Sequence, residues 1–265
     1  MSGAQRVARV AYHTYVALFL LYLYVPLAVV MTLAFNANPL PAFPWQGFTL
    51  AWFREIAADP FLLRAIWNSL VVGVGVSVLS VTVGTVTAFV LVRYQFPGKG
   101  LLYALALSPL IMPGVILGIS MLVFFSEIGL EMGLATTVLG QSSFIISFVL
   151  LIVSARLQKF DRSLEEAAQD LGATPFQAIW RVTLPALRPA LVASSVVAFL
   201  LSFDNFNTTL FLIGNEATLP IHIYSAVRLG LSPKINAISV VFIIVTVGLG
   251  VAYEVIRRRE DAPAA

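Results

Sequence analysis

Cysteine is absent from the 265 residues, so the chain has no disulfide, no thiolate metal site and no cysteine nucleophile. Charge is scarce as well. Asp, Glu, Lys and Arg make up 11% of the sequence, where a soluble domain carries about 25%. So few charges cannot cover a water-facing surface, and most of the outside must face lipid. An apolar content of 59% excludes disorder for the same reason. Histidine occurs only as His13 and His222, each without metal-ligand neighbours, so no metal site is expected. The phosphate-loop pattern, GxxxxGK followed by Ser or Thr, is missing too. Pro97-Gly98-Lys99-Gly100 lacks its first glycine and its hydroxyl residue, so ATP must be bound elsewhere. No Ser/His/Asp set or other catalytic constellation is visible.

What remains is long apolar runs. A spanning helix needs roughly 20 such residues at 1.5 Å each. Six segments qualify: 15–35, 69–92, 101–126, 137–155, 189–213 and 235–256. The first follows Arg6 and Arg9 as a signal peptide would, but it exceeds a signal h-region and is read as a retained span. The net charge of +3 would suggest nucleic acid in a soluble protein; here the positive residues report orientation. Twelve of the 16 Lys and Arg residues fall at the N-terminus, in 93–100, in 156–188 and at the C-terminus. Arg54, Arg64, Arg228 and Lys234 fall on the other side. This split predicts a multi-pass protein with both termini and the 156–188 loop in the cytoplasm.

Details within the runs carry further expectations. In the second, Gly73 and Ser77, then Ser80, Gly84 and Ala88, recur four apart and allow close helix approach. In the third, Pro109 and Pro113 lie about one turn apart and must kink or break the helix. A broken helix faces protein or a watery cavity; a static kink that only aids packing is the alternative. The first loop, 36–68, is rich in Pro and Trp, and Thr49 is placed to cap a short helix over 50–57. Glu254 has Arg257 and Arg258 three and four residues on, a spacing for surface ion pairs.

The 156–188 loop is longer than two spans need. Ser163 and Glu166 form a capping-box pattern that starts a helix, and Gly172 stops it. Thr174-Pro175 restarts a second helix, expected to end before Pro185, with Phe176, Ile179 and Trp180 on one face. Such a helix–glycine–helix element is a candidate docking surface. Its residues are Glu166-Ala167-Ala168, three residues, Gly172, nine residues, then Val182-Thr183-Leu184-Pro185.

This segment resembles the EAA motif of ATP-binding-cassette (ABC) importer permeases, EAA-x3-G-x9-I-x-LP, departing from it only in Val182 for Ile. The resemblance implies the all-α, six-span integral-membrane fold of a type I importer permease, a single permease domain over 1–265. The loop between spans four and five would be its coupling element. It implies that Glu166, Ala167, Ala168, Gly172, Leu184 and Pro185 contact a cytoplasmic ATPase. It implies two ATPase subunits that hold ATP and magnesium, a second permease subunit and an extracytoplasmic binding protein, in a bacterial inner membrane. No cofactor is expected in this chain. The stretches ADPFLLRAIWNSL (58–70), LSFDNFNTTLFLIG (201–214) and LPIHIYSAVRLGLSPKINAIS (219–239) resemble spermidine/putrescine-type permeases. That subfamily also includes permeases for other small organic solutes.

A polar stretch interrupts the fifth run. Asp204 lies near its middle, with Ser202, Asn205, Asn207, Thr208 and Thr209 around it. A carboxylate at the bilayer centre costs about 2.5–3.5 kcal/mol on insertion scales, so it faces a bundle interior or a watery path. Asp204 is then either the counter-ion for a cationic solute, with Ser202, Asn205 and Thr208 lining the path, or part of an inter-helix clamp. A polyamine carries at least two charges, and its second acceptor would come from a partner permease or from Glu127. The competing classes are a stand-alone channel, which needs no coupling loop, and an integral-membrane enzyme, which needs buried catalytic groups.

Overall fold

The computed structural model describes residues 3–230 and 232–260. The expected pairing of Glu254 with Arg257 and Arg258 falls on side chains outside the described ones. The chain forms two compact units, one of residues 1–60 with 223–265 and one of residues 61–222.

The first unit contains α1 (Gly3–Ala34), α2 (Ala51–Ala57) and α12 (Pro233–Glu260), with α12 packed on both others. Apolar side chains of α1, among them Tyr15, Leu18 and Tyr22, stay exposed, as a lipid-facing helix requires. Phe35 stacks on Phe48 and Phe53, with ring centroids 5.4 and 5.0 Å away. The Trp52 indole donates to the Asn36 carbonyl at 2.9 Å. Helix α2 starts one residue later than expected. Even so, the Thr49 hydroxyl accepts the Ala51 N–H at 3.1 Å and serves the first turn. Lys234 pairs with Glu55 at 2.7 Å and ties α12 to α2.

The second unit is a helical bundle. Its elements are α3 (Pro60–Arg93), α4 (Lys99–Leu107), α5 (Gly114–Glu127), α6 (Leu134–Gln158), α7 (Ser163–Asp170), α8 (Pro175–Ala178), α9 (Leu184–Phe203) and α10 (Thr209–Leu212). Helix α11 (Leu219–Leu229) follows. The core lies where α3, α6 and α9 meet, around Val72, Val76, Ile145, Val149, Leu187 and Ala198. The small residues of α3 make this approach possible. A Cβ on Gly84 would lie 2.8 Å from Val149, one on Gly73 would lie 2.8 Å from Phe199, and Ser77 Oγ donates to the Ser195 carbonyl at 2.9 Å.

Among the described residues four continuous helices are long and apolar enough to cross a membrane: Arg9–Ala34, Pro60–Arg93, Leu134–Gln158 and Pro175–Phe203. All four begin before the expected boundaries, and α3 begins nine residues before 69. The third expected span is broken: Lys99–Leu110 and Gly114–Glu127 are bent by 108°. Pro109 and Pro113 remove two amide donors here, and Pro113 is extended at φ −57, ψ 131. The two pieces still make one crossing. An ion pair sets the end of α3 beside α7, which follows the end of α6; the start of α6 lies at the far end, where the Gly133 N–H donates to the Leu212 carbonyl. The chain must therefore cross once between residues 93 and 134. The sixth expected span, 235–256, falls within α12, a continuous helix of 28 residues.

Candidate functional site

Two regions carry the residues singled out above, and both lie in the second unit. The first is the 156–188 loop. Helix α7 runs to Asp170, and Gly172 follows in the left-handed region at φ +90. Its N–H donates to Gln169 O at 2.9 Å and the Ala173 N–H to Ala168 O at 3.0 Å, closing the helix with its last carbonyls satisfied. Thr174 and Gln177 form a reciprocal capping box, with Pro175 at the first helical position.

The structure corrects two local expectations. Ser163 and Glu166 form no capping box; Asp161 Oδ1 takes the Ser163 N–H at 3.0 Å instead. That backbone bond, with the Ser163 side chain, holds the exposed Asp161 carboxyl below the usual carboxylate range. Nor does the second helix end before Pro185. A π-helical turn, Ile179–Thr183, joins α8 to α9, and Pro175–Phe203 is one helical run. The wider turn absorbs the amide that Pro185 lacks.

Glu166, Ala167 and Gly172 are exposed, while Ala168, Leu184 and Pro185 are half-buried. Leu171, Phe176 and Trp180 are exposed beside them, and Phe176 stacks on Trp180 at 6.1 Å. The residue that anchors the loop is a different one, Glu165. Its carboxylate accepts from Arg93, at the end of α3, at 2.7 Å and from the Thr183 hydroxyl. Both charged side chains are nearly buried, 10% and 13% exposed, and the Arg93 guanidinium lies 5.6 Å over the Phe160 ring. Glu165 thus fastens α3, α7 and the π-turn together. A groove of about 640 Å³ opens beside this junction, between α3 and the Pro175–Trp180 segment. Nothing in the local spacing marks Glu165, because its partner Arg93 is 72 residues away in sequence.

The second region surrounds Asp204. The structure corrects its placement: α9 ends at Phe203, so Asp204 is a helix terminus, not the middle of a continuous helix. Asn205 causes the break. Its Oδ1 accepts the N–H groups of Thr208 and Thr209 at 3.2 and 3.3 Å, which starts α10. Ser202, Asn205 and Thr209 therefore do not share one helical face. Ser202 and Thr209 instead converge on Gln141 of α6, a fully buried side chain that sequence reasoning missed. Gln141 accepts from Ser202 Oγ and donates to Thr209 Oγ1 at 2.7 Å. A lone glutamine inside an apolar span is the signal that could have found it. It lies seven residues, roughly 10 Å, from the start of α6.

Both helix breaks meet here. A Cβ on Gly114, directly after the Pro113 break, would lie 3.1 Å from the Asn207 Cβ. One on Gly118 would lie 3.2 Å from the Asn207 carbonyl and from Thr208 Cα, so α5 and the 204–208 turn touch backbone to backbone. Asp204 and Asn207 are exposed, Asn205 is half-buried, and Ser202 and Thr208 are buried. The Thr208 hydroxyl is buried and makes no hydrogen bond. The site thus offers an exposed carboxylate at a helix C-terminus, where the backbone dipole is negative. That arrangement favours a cation.

Residues 80–261 match the family model described as "Binding-protein-dependent transport system inner membrane component". The spermidine/putrescine transport system permease protein PotC of Escherichia coli K12 is 32% identical over 238 residues, covering 89% of this chain and 90% of that one. The putrescine transport system permease protein PotI of the same strain is 34% identical over 226 residues, covering 82% and 80%. Among solved structures, a bacterial ABC transporter involved in the import of the acidic polysaccharide alginate aligns with TM-score 0.72 at 15% identity. That alignment covers 97% of this chain and 98% of the other. The MetNI methionine ABC transporter aligns with TM-score 0.57 at 22% identity, over 75% and 95%.

Proposed function

We propose that this chain, which belongs to the family of binding-protein-dependent transport system inner membrane components, carries polyamines across the inner membrane. It is a non-catalytic permease subunit of an ABC importer. The polyamine reading goes further, and Asp204 carries it. An exposed carboxylate ends a broken helix inside an otherwise apolar bundle. A helix C-terminus adds about half a negative charge at the same place. Half-helix ends of this kind hold cations at transport sites. The likeness to polyamine permeases over more than four-fifths of the chain supports the same cargo. Ser202, Asn205 and Thr208 shape the site, the first two chiefly by fixing the break through Gln141 and through the Asn205 cap.

In this reading a second permease subunit completes the path, and a binding protein delivers the cargo from outside. Two ATPase subunits, holding ATP and magnesium, meet Glu166, Ala167, Ala168, Gly172, Leu184 and Pro185 on the cytoplasmic side. The Lys and Arg distribution supports cytoplasmic termini.

The test is ATPase activity of the reconstituted complex with binding protein loaded with putrescine, spermidine or unrelated solutes. Stimulation by a loaded polyamine is the expected result, and stimulation only by another solute overturns the cargo. A second expectation concerns Asp204→Asn. The substitution keeps size and hydrogen bonding and removes the charge, so uptake of labelled putrescine should fall on the order of tenfold or more while the complex assembles normally. Unchanged uptake would make Asp204 structural.

A further inference from the structure

A second carboxylate stands at the opposite end of α3 from the coupling loop. Glu216 lies in the turn between α10 and α11, and its Oε1 accepts from Arg64 at 2.6 Å. Its other oxygen accepts from Asn68 Nδ2 at 3.1 Å. Asn68 is itself buried, at 4% exposure, and the same amide donates to the Ala217 carbonyl at 2.9 Å. Beside it Ser69 Oγ accepts the Leu219 N–H at 2.8 Å. The turn that carries Glu216 is thus bound to α3 at three points. A polar pocket of about 210 Å³ opens here, bounded also by Phe61, Asn215 and His222.

The two members of the ion pair are held very differently. The Arg64 side chain is 68% exposed and donates to Glu216. Glu216 is 33% exposed and is anchored through buried Asn68. The anion is anchored to a buried amide, whereas most of the cation already faces water. An ion pair with one strongly exposed member is held weakly and exchanges readily. Arg64 lies roughly 44 Å along α3 from Arg93, at 1.5 Å per residue. With the coupling loop in the cytoplasm, the pocket therefore opens on the extracytoplasmic side, where cargo arrives.

We propose that Glu216, with Asn68 and the pocket around them, is an entry site for the ammonium group of a cationic cargo, and that Arg64 is a resident cation which that ammonium displaces. The inference rests on the cationic-cargo reading of the preceding section. The chemistry is an exchange of one cation for another on a fixed carboxylate, without net burial of charge. Occupancy would also release Arg64 from the turn at the mouth.

The test is direct binding of labelled putrescine to the complete complex in lipid nanodiscs, without binding protein. The preparation carries Asp204→Asn, so that the mouth is read alone. In that background Arg64→Ala should tighten binding about two- to fivefold, because the competitor is gone. Glu216→Gln, which keeps the bond from Asn68, should weaken it by about tenfold or more. Arg64→Ala added to Glu216→Gln should then change nothing. Basal ATPase activity and a monodisperse complex report folding. Weaker binding in Arg64→Ala, or unchanged binding in Glu216→Gln, overturns the inference. Uptake by the wild-type complex separates the two readings. If it moves polyamines and the mouth variants bind like the parent, only the entry site falls. If it moves none, the cargo reading falls and takes the entry site with it.

Discussion

Gly172→Pro is expected to abolish coupled uptake while leaving the protein in the membrane. Gly172 sits at φ +90 and gives its N–H to Gln169 O. Proline fixes φ near −65° and has no N–H, so it fails on both counts, at a cost of about 3 kcal/mol or more. That is enough to reorganise the turn between α7 and α8 without touching any spanning helix. Gly172→Ala is the graded control. A Cβ there meets nothing within 4 Å, so its cost is only the left-handed backbone, roughly 1–2 kcal/mol. Uptake and ATP hydrolysis are measured together in proteoliposomes. The proline variant should hydrolyse ATP without transport, and the alanine variant should transport at a reduced rate. Glu166→Lys, a change on the exposed face of α7, should uncouple in the same way. Normal uptake by Gly172→Pro and Glu166→Lys would remove the docking role.

These residues also show what the sequence could and could not reveal. The stop at Gly172 and the restart at Thr174-Pro175 were legible because each is dictated by one residue's own stereochemistry. The break at Pro109 and Pro113 was legible for the same reason, though its 108° angle depends on what α5 packs against. The Ser163 box failed because a competing acceptor, Asp161, stood two residues upstream. The break at Asp204 was hidden because no proline or glycine marks it. It arises from the Asn205 side chain capping α10, an option that competes with a continuous helix only when neighbours such as Gln141 hold the turn. Glu165 and Glu216 were invisible for a further reason. Their partners, Arg93 and Arg64, are 72 and 152 residues distant, and no local periodicity encodes such a meeting.

The Arg93–Glu165 pair yields the other large expected effect, and the order of the variants carries the argument. Arg93→Ala leaves the nearly buried Glu165 carboxylate with the Thr183 hydroxyl alone. Removing one member of such a pair costs about 3–5 kcal/mol, because an uncompensated charge stays behind. Glu165→Gln should cost less, since its amide oxygen still accepts from Thr183. Replacing both members, as Arg93→Met with Glu165→Leu, should recover most of the stability, because an apolar pair of similar volume needs no desolvated charge. Thermal unfolding of the complex and protease sensitivity of residues 156–188 follow stability; uptake follows function. We expect the single variant Arg93→Ala to lose both. The double variant should regain stability yet stay deficient in uptake, because the pair is the link between a spanning helix and the loop proposed to receive the ATPase stroke. The interaction energy comes from the full cycle of single and double variants, since residues in contact are not additive. If uptake returns together with stability in the double variant, the pair is only a structural fastening. Force then passes from the loop to the bundle by the continuous run Pro175–Phe203 alone.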